Sequence, residues 1–248
     1  MKFIGIIPAR YGSTRFPGKP LADICGKTVI RRVYEQASKA LDTVLVATDD
    51  ERIYDTVEAF GGKVVMTRAD HTCGTDRCLE AYQAITTPIW REQNDTDTVV
   101  INIQGDEPFI QPEQIEALMD CFDTPDTQIA TLVRPFTDKD RPEELENPNT
   151  PKVEWDKATG KARMFSRQVI ACPDGSHYRH IGIYAYRADV LAQITRLPQS
   201  PLEIKERLEQ LRWLENGYCI RVGVTEIPTI GIDTPDDLAK AIEWYKNS

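Results

Sequence analysis

Short, continuous apolar runs alternate with helical stripes from the first residues onward, and this alternation restricts the fold more than any other feature. "KFIGIIPA", "TVLVAT", "KVVMT" and "DTVVINIQ" have strand length and little polar alternation, as expected of strands covered on both faces of a parallel sheet. Between the first two, "KTVIRRVYEQASKAL" sets Val29, Ile30, Val33, Tyr34, Ala37 and Leu41 on one helical stripe. "DERIYDTVEAFGG" follows a capping box from Thr48 to Glu51 and closes on glycines, and "TDRCLEAYQAI" supplies a third helix. Repeated strand–helix units predict an α/β fold with a mainly parallel sheet and helices on both faces.

Past about residue 125 the pattern changes. "IATLVRPF", "PKVEWDKATGKARMF" and "YRHIGIYAYR" predict strands without long helices between them, the middle one a hairpin turning at "DKATGK". They make a smaller, mainly antiparallel insertion at about 125–190 within a single domain spanning 1–248. Alternation then returns. "SPLEIKERLEQLRWLENG" predicts one long helix, capped by Ser200, with Pro201 first, Glu203 completing the box and Gly217 closing it. "DTPDDLAKAIEWYK" predicts a last helix with Thr234 as cap.

Open α/β sheets bind ligands beyond the carboxyl ends of their strands, and three segments with fitting chemistry fall there. The first is "PARYGSTRFPGKP", after the opening strand. Gly12 and Gly18 allow close backbone approach to phosphate, Pro17 and Pro20 stiffen the loop, and Arg10, Arg15 and Lys19 are cations suited to phosphate oxygens. It is not the ATPase phosphate loop, because Pro20 stands where that motif has a metal-binding hydroxyl. The formal net charge of −9 argues against a nucleic-acid surface, so an anion must be held by such a local patch. The second segment is "NIQGDEPFI". Asp106 is placed to hold magnesium beside phosphates, with Glu107 as competitor and a backbone-bonding turn aspartate as the plainer alternative. In the third, "GIDTPDD", Asp233 precedes the last helix and either stabilises its start or, with Thr234 already the cap, joins Asp106 on one metal.

Weaker signals surround these. "CGTDR" brings Gly74, Thr75 and Arg77 to another strand-to-helix connection, where Thr75 serves equally well as a helix start. His180 and Tyr184 lie four apart, on one face of a strand, and Glu209 and Gln210 fall on the polar side of the long helix. The six cysteines form no C-x-x-C pair, and the first residues lack a signal-peptide pattern, which points to reduced thiols and a cytoplasmic protein. No apolar run approaches membrane-spanning length.

The motifs above, in this order, resemble the 3-deoxy-D-manno-octulosonate (Kdo) cytidylyltransferases, or CMP-Kdo synthetases. The likeness runs through "IPARYGSTRFPGKPLADICGK", "VATDDERI", "FGGKVVMTRADH", "GTDR", "NIQGDEP", "YRHIGIYAYR", "LEQLRWLENG" and "GIDTPDDL". It implies a GT-A-like nucleotidyltransferase fold and a cytoplasmic, magnesium-dependent homodimer. The implied reaction joins CTP and Kdo, giving CMP-Kdo and pyrophosphate for lipopolysaccharide assembly, with no nucleic acid or membrane as partner. It also implies roles. Arg10 and Lys19 bind the triphosphate, and Pro8, Ala9, Ser13, Gly74, Thr75 and Asp106 complete the nucleotide site. Asp106 and Asp233 hold Mg2+. Arg15, Arg77, Gln104, Arg167, His180, Tyr184, Glu209 and Gln210 meet the sugar, and the insertion serves substrate binding and dimer contact. Two departures stand out. "FSRQVIACPDG" lacks the family's proline-rich "PIP" stretch, and Cys73 stands where serine or another small residue is common. A cytidylyltransferase for another acidic sugar, such as a sialic acid, and a non-catalytic nucleotide sensor on the same scaffold remain as alternatives. A dinucleotide-binding dehydrogenase is disfavoured by the missing G-x-G-x-x-G.

Overall fold

Apolar residues with no polar alternation form the central strands as the pattern predicts: all five residues are buried in β4 (Val44–Thr48) and in β6 (Thr98–Asn102). Both flank β1 (Lys2–Ala9) in parallel, Ile6 lying opposite Leu45 on one side and Asn102 on the other. β5 (Val64–Met66) adds to β4, also parallel, for the order β5-β4-β1-β6. A small ribbon, β2 (Asp23–Ile24) and β3 (Lys27–Thr28), follows the first loop. The computed structural model describes residues 1–86, 97–138, 140–172 and 174–247. They divide into two compact units, Met1–Ile115 with Thr229–Ser248, and Glu116–Pro228. The second is wider than the insertion expected at 125–190, because the chain segments on either side pack with its strands.

The helix Val29–Ala40 starts at Thr28, whose hydroxyl accepts from Arg31 N. The helix Glu51–Ala59 is capped by Asp50, accepting from Arg52 N at 3.0 Å. The expected Thr48–Glu51 box is not made, because Thr48 is still the buried last residue of β4. Helix Pro235–Asn247 returns the chain to the first unit. Ile232 and Ala241 pack there with Ile24, Val29 and Phe109, and the Phe109 and Trp244 rings lie 4.7 Å apart.

In the second unit β7 (Ile129–Pro135) lies between antiparallel β10 (Tyr178–Arg187) and parallel β11 (Ile220–Val224). The hairpin β8 (Lys152–Asp156) and β9 (Lys161–Ser166) turns where expected, with Gly160 at φ +70. β9 pairs with β11, and β8 returns to β10 at Arg179↔Lys152, so the five strands curl round and shield their edges.

The long helix expected from Ser200 to Gly217 is two short ones, Pro201–Glu206 and Gln210–Glu215. Its caps are as expected, including the Ser200–Glu203 box and Gly217 at φ +81. The break is Arg207, left-handed at φ 54. Arg167 makes that break tolerable by donating to the Glu206 and Arg207 carbonyls at 2.6 and 3.2 Å. Helix ends leave such acceptors unpaired, and a cationic donor there substitutes for the next turn.

Candidate active site

Parallel pairing brings the carboxyl ends of β1, β4, β5 and β6 to one edge, so the loops leaving them open together. Gly105 lets two of these loops cross closely: a Cβ there would lie 2.8 Å from the Pro8 carbonyl oxygen. Asp106 follows directly. The return segment is tied to it, Ile232 N donating to Asp106 O at 2.9 Å. Thr234 caps the last helix by accepting from Asp237 N at 3.2 Å, and Asp237 in turn accepts from Thr234 N at 2.9 Å. That leaves the Asp233 side chain for the cavity.

The loop edges enclose about 300 Å³ lined by Pro8, Ala9, Arg10, Ser13, Thr14, Arg15, Lys19, Pro20, His71, Thr72, Cys73, Gly74, Arg77, Gln104, Gly105, Asp106 and Asp233. At its centre Lys19 Nζ donates to Asp106 Oδ2 at 2.6 Å and to Asp233 Oδ1 at 3.3 Å. Arg15 Nη2 also reaches Asp233 Oδ1, at 3.0 Å. Two carboxylates from distant parts of the chain therefore share one cation. Two hard oxygen donors within reach of a single positive charge suit magnesium, whose remaining positions phosphate oxygens and water can fill. Among the described residues no third acidic, histidine or cysteine side chain joins them. Arg10 lines the same space and is exposed. Thr75 does not line it: Cys73 caps the helix Gly74–Ile85, and Thr75 is buried in its first turn.

Glu107 is no rival to Asp106. It is absent from the lining, its Oε2 is buried without a partner, and burial followed by the Asp106 charge pushes its carboxyl up to about 8. A carboxyl held protonated at neutral pH is a poor ligand for a hard cation. Arg77 lines the cavity but is anchored behind it: 3% exposed, it donates to Asp49 Oδ2 at 2.9 Å and Thr67 Oγ1 at 2.5 Å. It is a fixed wall, not a mobile clamp.

In the second unit, β10 bulges between Ile181 and Tyr184, yet two extra residues keep His180 and Tyr184 on one face, their rings 5.3 Å apart. The Thr131 hydroxyl donates to the bulged Ile183 carbonyl at 2.8 Å. His180 Nε2 must then be the donor in its 2.9 Å contact with Thr131 Oγ1. Burial lowers the imidazole to about 3, so it is neutral at physiological pH. Burial, then the Glu209 charge, raises the Tyr184 phenol well above its ordinary value. Gln210, expected on a solvated face, is buried, and its Nε2 has no hydrogen-bond partner among the described residues. All three guanidinium nitrogens of Arg167 donate to backbone carbonyls, of Glu206, Pro148 and Arg207.

The sequence profile of the family described as Cytidylyltransferase matches residues 4–226. The chain is 57% identical over 258 residues to the 3-deoxy-manno-octulosonate cytidylyltransferase of Parabacteroides distasonis, covering 100% of this chain and 99% of the relative. It belongs to the 3-deoxy-manno-octulosonate cytidylyltransferase family. The Phocaeicola vulgatus member is 59% identical, with 99% and 98% covered. The solved CMP:2-keto-3-deoxy-manno-octonic acid synthetase complexed with CTP is 41% identical with a TM-score of 0.89, covering 100% of this chain and 99% of that one. The fold is thus the mixed α/β nucleotidyltransferase fold of that synthetase. Beyond the residues singled out by motif in this family member, the structure adds His71 at the cavity, paired through Nε2 with Glu80, and the Asp49 anchor of Arg77. "RADH" and "VATDD" marked both places in sequence, without indicating their partners.

Proposed function

We propose that the protein transfers CMP from CTP to the anomeric hydroxyl of Kdo, giving CMP-Kdo and pyrophosphate for lipopolysaccharide biosynthesis. One observation carries the reading most directly: Asp106 and Asp233 converge with Lys19 in a cavity edged by Arg10 and Arg15. CTP brings a polyphosphate that repels an oxygen nucleophile until its charge is matched. Arg10 and Lys19 meet that charge and stabilise what develops on the phosphoryl oxygens and the departing pyrophosphate. Pro8, Ala9, Ser13 and Gly74 give the nucleotide backbone and side-chain contacts in the same unit, while Thr75, buried behind the lining, supports the helix start. Asp106 and Asp233 would hold Mg2+, which when bound supplies further charge neutralisation at the reacting phosphates.

The sugar hydroxyl, its proton passing to water, attacks the α-phosphorus, and the bond from that phosphorus to the oxygen bridging to the β-phosphate breaks, releasing pyrophosphate. In the second unit we assign His180, Tyr184, Glu209 and Gln210 to the sugar; Arg15, Arg77 and Gln104 line the first unit's cavity, and Arg167 instead holds the backbone carbonyls of Glu206, Pro148 and Arg207. The buried, unpartnered Gln210 amide supports this for a hydroxyl-rich ligand. His180, neutral down to about pH 3, is a hydrogen-bonding group and not the base. We further read the fold as GT-A-like and the protein as a cytoplasmic homodimer whose second unit serves substrate and subunit contacts. The family membership, the cytosolic substrate CTP and six free thiols support that setting.

The test is pyrophosphate release with CTP, UTP, ATP or GTP, with Kdo, a sialic acid or no sugar, at varied magnesium. Release is expected with CTP and Kdo together and lost on chelation. CTP binding without release in any arm would favour a nucleotide sensor, and release with sialic acid alone would reassign the sugar.

A further inference from the structure

The loop that carries Arg10, Arg15 and Lys19 is exposed and contains glycine, so something must hold its shape before nucleotide arrives. Its backbone closes on Tyr11, whose carbonyl accepts from Ser13 N and from Gly18 N, both at 2.9 Å. The Tyr11 ring covers the same point. A Cβ on Gly18 would meet Tyr11 Cε2, Cζ and Oη at 3.0, 3.1 and 3.2 Å, and Gly18 itself is at φ +73. Lys19 is the next residue, so the place where ring and glycine touch fixes the root of the side chain that joins Asp106 and Asp233.

The ring is in turn held by a neighbouring element. The Arg52 guanidinium carbon lies 3.3 Å from the Tyr11 ring centroid. Asp50 orients that guanidinium in two places, Nε to Oδ1 at 3.0 Å and Nη2 to Oδ2 at 2.7 Å. Asp50 also caps the helix that bears Arg52, so carboxylate, guanidinium and helix start move as one body. We propose that Asp50, Arg52 and Tyr11 form a stacked clamp that holds residues 10–19 in their phosphate-gripping shape, as positioning residues for nucleotide binding.

A pre-ordered loop loses less conformational freedom when the nucleotide docks, so the clamp acts on nucleotide affinity and not on the chemical step. Lysine at 52 cannot replace it, because a point charge neither lies flat on the ring nor grips a carboxylate in two places. The Arg52 side chain is 58% exposed, so its removal leaves the core untouched.

The inference rests on the reading that this loop grips CTP, and two measurements separate them. Hydrogen exchange of the Ser13 and Gly18 amides in the free protein reports the clamp without any activity. It should quicken in Tyr11→Ala and Arg52→Ala and stay at the wild-type rate in Tyr11→Phe. The KM for CTP should rise about fivefold in Arg52→Ala, the upper end for an exposed cation–π contact. It should rise roughly tenfold in Tyr11→Ala, where the cover over Gly18 also goes. Tyr11→Phe should restore the wild-type value, while kcat and the KM for Kdo stay unchanged throughout. Unchanged exchange in both alanine variants, or a fall in kcat with the KM for CTP unaltered, overturns the clamp. Wild-type protein that turns over no CTP with Kdo overturns the functional reading instead, and the exchange rates still decide the clamp.

Discussion

The cavity of the first unit and the His180 cluster of the second handle polarity in opposite ways. In the cavity, Lys19, Arg15, Asp106 and Asp233 form partly solvated ion pairs, each matched by a neighbour. Around His180 the groups are covered, and burial suppresses charge: the imidazole is neutral, the Tyr184 phenol is harder to ionise, and the Gln210 amide is uncharged. The first arrangement suits a ligand recognised by its charge. The second suits one recognised by hydroxyl positions, where an unmatched ion would cost several kcal/mol.

The sharpest way to break this contrast is to remove one charge from the cavity while keeping its shape. Asp106→Asn should lower pyrophosphate release at saturating substrates at least about a hundredfold, about 2.7 kcal/mol of barrier. Its melting temperature should fall by no more than a few degrees, because Asp233 still pairs with the half-buried Lys19. More than a tenth of wild-type activity would mean that the cavity does not work through its charges. Thr131→Val tests the other side. It leaves the Ile183 carbonyl and His180 Nε2 without their shared hydroxyl, and should cost about 2 kcal/mol of unfolding free energy by urea titration. The KM for CTP should not follow.

The effect that is smallest per step is a pH dependence. The folded pKa of His180, about 3, lies below its ordinary 6.5. Its contribution to stability is therefore complete above about 6.5 and is lost as pH falls toward 3. The slope is at most about 1.4 kcal/mol per pH unit. His180→Gln should remove that slope, measured by urea midpoints from pH 7 to 4, and an identical slope in the variant would show that the imidazole is not held neutral.

What the sequence disclosed divides along physical lines. β1, β4 and β6 were legible because burial on both faces demands continuous apolar runs. Asp106 could be picked out by residue type at a strand exit and Asp233 just before the last helix, but only folding shows that they meet at Lys19. The break at Arg207 was hidden because the group that satisfies its open carbonyls lies 40 residues earlier, in the Arg167 side chain. No local glycine or proline announces it. The Asp49–Arg77 and Tyr11–Arg52 contacts are also tertiary. The error at Thr48 was local: three polar residues in a row offered several possible caps, and the strand's last hydrogen-bonded residue decided among them.

The first unit is assembled from two stretches of chain separated by the whole of the second, and Asp233 belongs to the later stretch. During translation, the polypeptide emerging from the ribosome can lay down all four parallel strands of that unit while its cavity still lacks one acidic side chain. The acidic pair is thus completed last, when the chain comes back and Ile232 N bonds the Asp106 carbonyl, and until then Lys19 has only one of its two carboxylates.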